Sequence, residues 1–488
     1  MKTKLTAGVV LALTAQVLTT QVAGAADLPA KALRQTAPAA YDWSGFFIGG
    51  YWGTSIGQSK ASTPTGPFDE VGQIDISKGS WTAGGTVGAN WQFHPSWLIG
   101  LEGDLGYLAN DRTFLEWADT RITAGVKTSG YATARARVGY VTGPSLLYAT
   151  GGAAFVRVEN TFGGCGPFGC NGIVTPPTSV TSTRTGWTAG GGIETKLSRN
   201  WTQKTEYLYV DAGTTNFLAV PFTTPHQTSF RNEFHVIKTG LNYKFGGPAE
   251  ALPFFGGAML PTDHNWAGFY AGVNAGGGLT TSPAPGSPVG ATPAGDNDMR
   301  GNGFAGGAQA GYNFMNLFGR PNWFAGLEGD FGYLGIKAAH IDWNDGFQMS
   351  QKTSWYGTAR ARLGTTTGPA LLYVTGGAAF VHVENGIASK FTPAELLVIA
   401  PGVTVTNDIR SETKAGWTIG GGTEVALDSR WSARLEYLYI DAGKSKRTSV
   451  ITSGFFGTVP IDSNVSNRFH VVRAGLNYSF NAPVVAKY

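Results

Sequence analysis

Trp97-Leu98-Ile99-Gly100-Leu101-Glu102-Gly103-Asp104-Leu105-Gly106-Tyr107 reads with a two-residue period. One parity carries Trp97, Ile99, Leu101, Leu105 and Tyr107; the other carries Leu98, Gly100, Glu102, Asp104 and Gly106. A period of two assigns these sets to opposite faces of a β-strand. The apolar face ends on an aromatic ring at both extremities, whereas the second face holds two carboxylates among glycines in mid-strand. A later segment repeats the pattern with the opposite charge: Tyr131, Thr133, Arg135 and Arg137 face one way, and Ala132, Ala134, Ala136 and Val138 the other. Towards residue 245, Leu241, Tyr243 and Phe245 oppose Lys238, Asn242 and Lys244.

A soluble sandwich shows the same alternation with its apolar face inward. Two features favour the inverted arrangement. Trp43, Trp97, Tyr107, Trp187, Trp201, Tyr243 and Phe245 cluster at strand ends, where aromatic girdles meet the two faces of a bilayer. The polar face, moreover, carries charges that balance. A Lys or Arg turned to lipid near the midplane costs about 2–4 kcal/mol. Inside a narrow barrel such groups can pair, with Gly100, Gly106, Gly139, Gly190 and Gly192 leaving room for them.

The chain is one unit written twice. Trp43-Ser44-Gly45-Phe46-Phe47 returns as Trp266-Ala267-Gly268-Phe269-Tyr270, and Gly100 to Leu108 as Gly326 to Leu334. Thr133-Ala134-Arg135-Ala136-Arg137 returns as Thr358-Ala359-Arg360-Ala361-Arg362. Glu206 to Asp211 returns as Glu436 to Asp441, and Phe234-His235-Val236 as Phe469-His470-Val471. The period is about 225 residues, drifting to 235, which is too long for a solenoid repeat. Each copy reads as eight strands. In the first they lie near 43–57, 80–93, 97–109, 126–141, 144–159, 184–197, 200–213 and 231–245; the second places them near 266–279, 302–314, 322–335, 353–366, 369–384, 413–427, 430–443 and 467–480. Tight turns such as His94-Pro95-Ser96 alternate with long Gly/Pro/Thr-rich loops, the pattern of an outer-membrane barrel.

The fold class is therefore all-β, with two tandem eight-stranded antiparallel transmembrane β-barrels as the first reading and one sixteen-stranded barrel as the alternative. Assigning faces by parity, copy one gathers Glu102, Asp104, Glu194 and Glu206 against Arg135, Arg137, Lys204 and Lys238. Copy two gathers Glu328, Asp330, Glu424 and Glu436 against Arg360, Arg362, Arg434 and Arg473. Four acids against four bases in each copy favour two self-filled barrels over one wide pore.

Composition supports this reading. Glycine numbers 71 of 488 residues, charged residues are 14% and aromatics 12%, which suits short twisted strands and is wrong for disorder. The net charge of +4, without any Lys/Arg-rich block, argues against nucleic acid as a partner. Lys2 and Lys4, the apolar run to Val22 and Ala23-Gly24-Ala25 predict a signal peptide over 1–25, cleaved after Ala25. After it no run of 18 apolar residues occurs, which excludes a helical membrane protein. The boundaries expected are an N-terminal periplasmic segment at 26–40, barrels at 41–246 and 266–481, a periplasmic linker at 247–265 and a tail at 482–488. Eight strands return the chain to its starting side, so linker and ends share the periplasm. Export makes a local disulfide the leading reading for Cys165 and Cys170, with a stabilisation of only about 2 kcal/mol for so short a loop.

Ala26-Asp27-Leu28-Pro29, the first-strand Trp43-Ser44-Gly45-Phe46-Phe47-Ile48-Gly49 and the closing Leu-Asn-Tyr-Lys/Ser-Phe at 241–245 and 476–480 carry a resemblance. They look like the alphaproteobacterial porin-family outer-membrane β-barrel proteins, whose single eight-stranded barrel is similar to the OmpA-type transmembrane domain. The resemblance spans both copies. It implies residence in the cell outer membrane, lipid and the β-barrel assembly machinery as partners, and a porin-like or structural, surface-antigenic role. The chain departs from the pattern in its doubling and in Asn481 to Tyr488. The machinery commonly reads an aromatic on the final strand; Phe480 fits that role internally, while Tyr488 is the literal terminus.

Enzymatic chemistry finds little support. Glu102 and Asp104 share a face, but their duplicated place opposite an arginine pair fits an ion network better than acid/base catalysis. The seven histidines form no metal-binding spacing, no cofactor motif is credible, and His235 and His470 fall on the apolar-face register. Two functions are expected to compete: a structural envelope protein with plugged interiors, and an open porin passing small solutes. A weaker third is an adhesin acting through long loops at 58–79, 160–183, 385–412 and 444–466.

Overall fold

The computed structural model describes residues 41–480 apart from the segments 66–69, 116–122, 164–175, 220–225, 247–263, 284–285, 289–297, 343–346, 390–393, 397–400 and 454–456. The expected signal peptide, most of the linker, the tail with Tyr488, and Cys165 and Cys170 lie outside the described residues.

The first copy forms β1 (Gly45–Thr65), β2 (Glu70–His94), β3 (Trp97–Leu108), β4 (Asp111–Leu115), β5 (Thr123–Thr142), β6 (Ser145–Gly163), β7 (Thr178–Lys196), β8 (Trp201–Ala219) and β9 (His226–Lys244). Every neighbour pair is antiparallel, β3 passes to β5, and β1 pairs with both β2 and β9. The eight long strands therefore close on themselves, with β4 a short continuation beside β5. The second copy forms β10 (Gly268–Pro283), β11 (Gly286–Pro288), β12 (Asp298–Leu317), β13 (Arg320–Leu334), β14 (Lys337–Asp342), β15 (Phe347–Thr366), β16 (Ala370–Ser389), β17 (Thr404–Thr406), β18 (Asp408–Ala426), β19 (Trp431–Ser453) and β20 (Gly457–Ser479). Its long strands close through β10 and β20. Among the described residues no strand of one ring pairs with a strand of the other. Each ring satisfies its own edges, and the sixteen-stranded alternative is set aside.

Short turns gather at one end. Thr142-Gly143-Pro144 is one of them, and Gly143 sits there at φ +58°, where a side chain would strain the backbone. At the opposite, loop end the strands run further than their composition suggests. Of the stretches expected as loops, 58–79 and 444–466 are largely strand: β1 continues to Thr65 against Glu70, and β19 and β20 pair out to Ser453 and Gly457. In 160–183 and 385–412 the strands β6, β7, β16 and β18 extend into both ends. Their Ser, Thr, Val and Ile residues pack well in a pleated surface, and that preference outweighs the turn formers scattered among them. Irregularities recur at matching places, between Asp211 and Thr214 and between Asp441 and Lys444. Each inserts a residue and shifts the parity of the strand beyond it.

The exterior is apolar and banded. Ile48, Val87, Leu101 and Leu105 are exposed in mid-strand, as are Val273, Leu327 and Val374. At the turn end Trp97 packs on Tyr140 and Trp201 on Tyr243; at the other limit Trp81 packs on Tyr107 and Trp187 on Tyr209. Trp431–Tyr478 and Trp417–Tyr439 repeat the two girdles in the second ring. Trp97 and Tyr107 stand ten residues apart on one strand, roughly 33 Å along it and about 25 Å along the axis of a tilted barrel.

One side of each exterior is covered, because the barrels lie against each other. Outward-facing Ile56, Ile237, Leu279 and Val472 form one buried cluster flanked by Tyr207, Leu435 and Tyr437. Thr205 Oγ1 lies 2.7 Å from Thr423 Oγ1, and Gln58 Nε2 donates to the Thr280 and Gly301 carbonyls. His235 and His470 keep the outward register but are buried in this seam, each 2.8 Å through Nδ1 from the hydroxyl of Tyr207 or Tyr437 on its own barrel.

Candidate functional site in the barrel interior

The inward parity of β3, β5, β7, β8 and β9 points its charges at one axis. Arg135 reaches Glu102 at 2.5 Å and Asp104 at 2.7 Å through Nη2, and Glu206 at 2.8 Å through Nη1. Arg137 Nη1 bridges Glu102 at 3.1 Å and Glu194 at 3.0 Å. Lys204 meets Glu102 at 2.6 Å, and Lys238 joins Asp104 at 2.5 Å to Glu206 at 3.0 Å. All eight charged side chains are buried. A buried charge is tolerated only when paired and hydrogen-bonded, and here Arg135, Arg137 and Lys238 each span carboxylates from two strands while Lys204 holds Glu102.

The second barrel repeats the arrangement. Arg360 pairs with Glu328, Asp330 and Glu436; Arg362 pairs with Glu328 and Glu424. Where the first copy has Lys204 and Lys238, the second has Arg434, 2.6 Å from Glu328, and Arg473, 2.9 Å from Asp330 and 2.6 Å from Glu436. Geometry thus brings together, barrel by barrel, all sixteen residues singled out by parity.

Sequence reasoning missed the neutral members. Tyr148 donates to Glu206, Tyr373 to Glu436 and Tyr270 to Glu328. Asn242 and Thr202 donate to Glu194, at 2.9 and 2.5 Å. Lys238 lies over the Tyr51 ring, and Arg362 sits 3.9 Å from the Tyr373 ring centroid. For Thr202 and Asn242 the signal was present, since they share a parity with Lys204 and Lys238; Tyr51, Tyr148, Tyr270 and Tyr373 stand on strands whose inward face carries no charge to mark it. Two glycines admit the rings: a Cβ at Gly106 would stand 2.3 Å from Tyr51 Oη, and one at Gly192 2.6 Å from Tyr148 Oη.

The interior is also less polar than the sequence suggests. Towards the loop end, Leu108, Val156, Val158, Leu208, Val210, Phe230, Phe234 and Val236 pack inside the first barrel as a core. Towards the turn end Trp43, Leu98, Val141, Leu146 and Tyr148 close it. The second barrel has the same two caps, around Val381, Leu438, Ile440 and Phe469 and around Trp266, Phe324 and Leu371. Greasy side chains therefore face both lipid and lumen, with the ionic layer enclosed between apolar plugs. The ligand atoms of Glu102, Asp104 and Glu206 come within 4.8 Å of one another, but guanidinium and ammonium groups already occupy that space. Phe480 stands on the turn-end rim with its ring outward, beside Tyr478, and its N–H donates to the Phe269 carbonyl.

Closed antiparallel rings with apolar exteriors, paired girdles and enclosed charges define a transmembrane β-barrel protein. The outer membrane protein beta-barrel domain family matches residues 23–245 and again 251–480, and the chain belongs to that family as a tandem duplication. The 31 kDa outer-membrane immunogenic protein of Brucella melitensis is 32% identical over 219 residues, covering 42% of this chain and 85% of the relative. The 22 kDa outer membrane protein of Rhizobium leguminosarum is 30% identical over 175 residues, covering 35% and 64%. Among solved structures, the attachment invasion locus protein Ail of Yersinia pestis is 15% identical and covers 40% of this chain and 99% of its own, with a TM-score of 0.21. OprG of Pseudomonas aeruginosa, at 11% identity, covers 44% and 98% with a TM-score of 0.27. The assignment rests on the family match and the relatives. The protein is an outer-membrane β-barrel protein, and its place is the cell outer membrane.

Proposed function

We propose that the protein is a structural component of the outer membrane whose two barrels are plugged, with short turns and both chain ends in the periplasm and the loop end outside. The observation that carries this reading is the filled lumen: in each barrel an ion layer of four acids and four bases is sealed above and below by apolar side chains. Water and ions crossing such a barrel would have to separate buried ion pairs at a cost of several kcal/mol each. An eight-stranded ring has just the width that side chains fill. No catalytic step is assigned to the carboxylates, since each is held by cations. Assembly through the β-barrel machinery, with Phe480 as its aromatic signal, belongs to the same proposal.

Planar-bilayer recording tests it. The purified full-length chain is expected to insert without steady stepwise current; a persistent conductance of porin size overturns the plugged reading in favour of solute diffusion.

Surface recognition has one observation in its favour. The strands extend well past the loop-end girdle, as where β19 and β20 pair out to Ser453 and Gly457, so a sizeable part of each barrel stands clear of the membrane. The Brucella relatives are named immunogenic, which fits exposed extensions of this kind.

A further inference from the structure

The duplication makes a crevice that neither barrel has alone. At the loop end the two exteriors part, leaving a cavity of about 570 Å³ lined by Thr54, Lys78 and Arg112 from the first barrel and by Tyr439, Arg468 and His470 from the second. Its height is set by the girdle. Lys78 lies three residues beyond Trp81, whose ring packs on Tyr107, so it stands roughly 10 Å further along the strand at about 3.3 Å per residue. Tyr439, packed on Trp417, belongs to the girdle itself. The crevice therefore opens where lipid headgroups lie.

Its charge is unusual for the seam. The barrels meet counterpart to counterpart: Ile56 and Leu279, Ile237 and Val472, and Tyr207 and Tyr437 occupy matching places in the two copies and share one cluster. Each position on one flank thus has a mate on the other. On one flank Arg300 reaches across to Glu233 and the pair neutralises itself. The mate of Glu233 is Arg468, and the mate of Arg300 is Ser77, beside Lys78. The acid–base bridge of one flank thus has Arg468 and the neutral Ser77 in its place on the other, and Lys78, next along the strand, lines the same crevice.

The carboxylates nearby are already engaged. Asp298 is held at 2.8 and 3.0 Å by the Arg112 guanidinium. Asp441 lies 3.5 Å from Arg468 Nε on its own barrel, and Lys78 Nζ donates one hydrogen bond to the Asp111 backbone carbonyl. The remaining N–H groups of Lys78 and Arg468 are donors for an anion.

We propose that this crevice binds the phosphate group of an outer-leaflet lipid headgroup. Basic groups at a membrane surface attract anionic lipid, and the guanidinium fork adds paired hydrogen bonds. The outer-leaflet source rests on the orientation proposed above and is independent of whether the lumen is plugged.

Native mass spectrometry of the full-length chain in detergent tests the proposal, using lipid A as the phosphorylated probe and the same lipid stripped of phosphate as control. One lipid A per chain is expected, with the stripped lipid bound about ten-fold more weakly or worse. Lys78→Glu/Arg468→Glu should lose lipid A by a similar factor, and Lys78→Gln/Arg468→Gln should fall between. The second variant also covers the case in which charge reversal prevents folding, judged by the gel shift between folded and boiled protein. Equal retention of both lipids, or by wild type and folded variants, overturns the proposal. Complete displacement of lipid A by millimolar inorganic phosphate reassigns the site to free phosphate and overturns the lipid source. Detergent removes any dependence on orientation, so a failure here is distinct from a failure of the proposed topology.

Discussion

At the scale of the residue, the molecule is governed by what a charge can do where water is absent. Arg135 and Arg137 together contact all four carboxylates of the first ring: Arg135 pairs with Glu102, Asp104 and Glu206, and Arg137 with Glu102 and Glu194. Replacing both, as Arg135→Leu/Arg137→Leu, leaves Glu194 without its cation and overloads Lys204 and Lys238. Breaking buried pairs in this way costs about 3–5 kcal/mol per stranded charge. Chemical denaturation of the full-length chain is expected to show a loss of at least that size, confined to the first barrel. An unchanged transition would remove the ion layer from the account of stability. The copies also record which exchange is tolerated: Lys204 and Lys238 face the same carboxylates as Arg434 and Arg473, so the site demands a cation with spare donors rather than one geometry.

At the scale of the element, each strand is two surfaces back to back. Leu101 and Glu102 are neighbours in sequence, yet one is 69% exposed to the lipid side and the other is 3% exposed inside the ring. Leu101→Arg is therefore expected to destabilise the barrel by about 2–4 kcal/mol in a bilayer, measured by denaturant titration. A change of the same kind at Trp97, on the girdle, should cost about 1 kcal/mol or less, because depth sets the penalty. Equal effects at the two positions would contradict the placement of the hydrocarbon band. Strand identity, facing and turn positions were legible because the period of two runs from Trp97 to Tyr107 with Leu98 as its one large apolar exception on the charged face. Strand length was not. Ser, Thr and Gly serve in turns and in exposed strands alike, and only pairing with a neighbour decides which, as β1 and β2 do between Thr65 and Glu70.

At the scale of the whole molecule, the doubling turns part of a lipid-facing surface into an internal interface. Ile56, Ile237, Leu279 and Val472 would meet lipid in isolated barrels and are buried here instead. Packing of that kind gains little from the hydrophobic effect, since lipid is as apolar as the partner surface. Direction comes from the polar contacts, Thr205 with Thr423, Gln58 with two carbonyls and Arg112 with Asp298. A Thr205→Cys/Thr423→Cys variant should form an intramolecular disulfide on mild oxidation, identified by mass spectrometry of the linked peptides. The threonine hydroxyls lie 2.7 Å apart, within reach of disulfide geometry. Cross-links that appear only between chains would reject the seam.

What the sequence determined by itself is what rests on neighbours along the chain: alternation, the repeat, the girdles and the balance of charge. Those features required closed rings with greasy exteriors and enclosed ions, and the eight acids and eight bases named from parity are the ones that meet. The tertiary structure alone decided whether the rings close separately, which apolar residues turn inward as plugs, and where two exteriors touch. Leu208 and Val210 share the parity of Glu206, yet only closure of the ring packs them with Val156, Phe230 and Phe234 as a plug, and His235 looks interfacial until a second barrel covers it. Both depend on contacts between strands far apart in sequence, and a local pattern carries the facing of a residue but not the identity of what it faces.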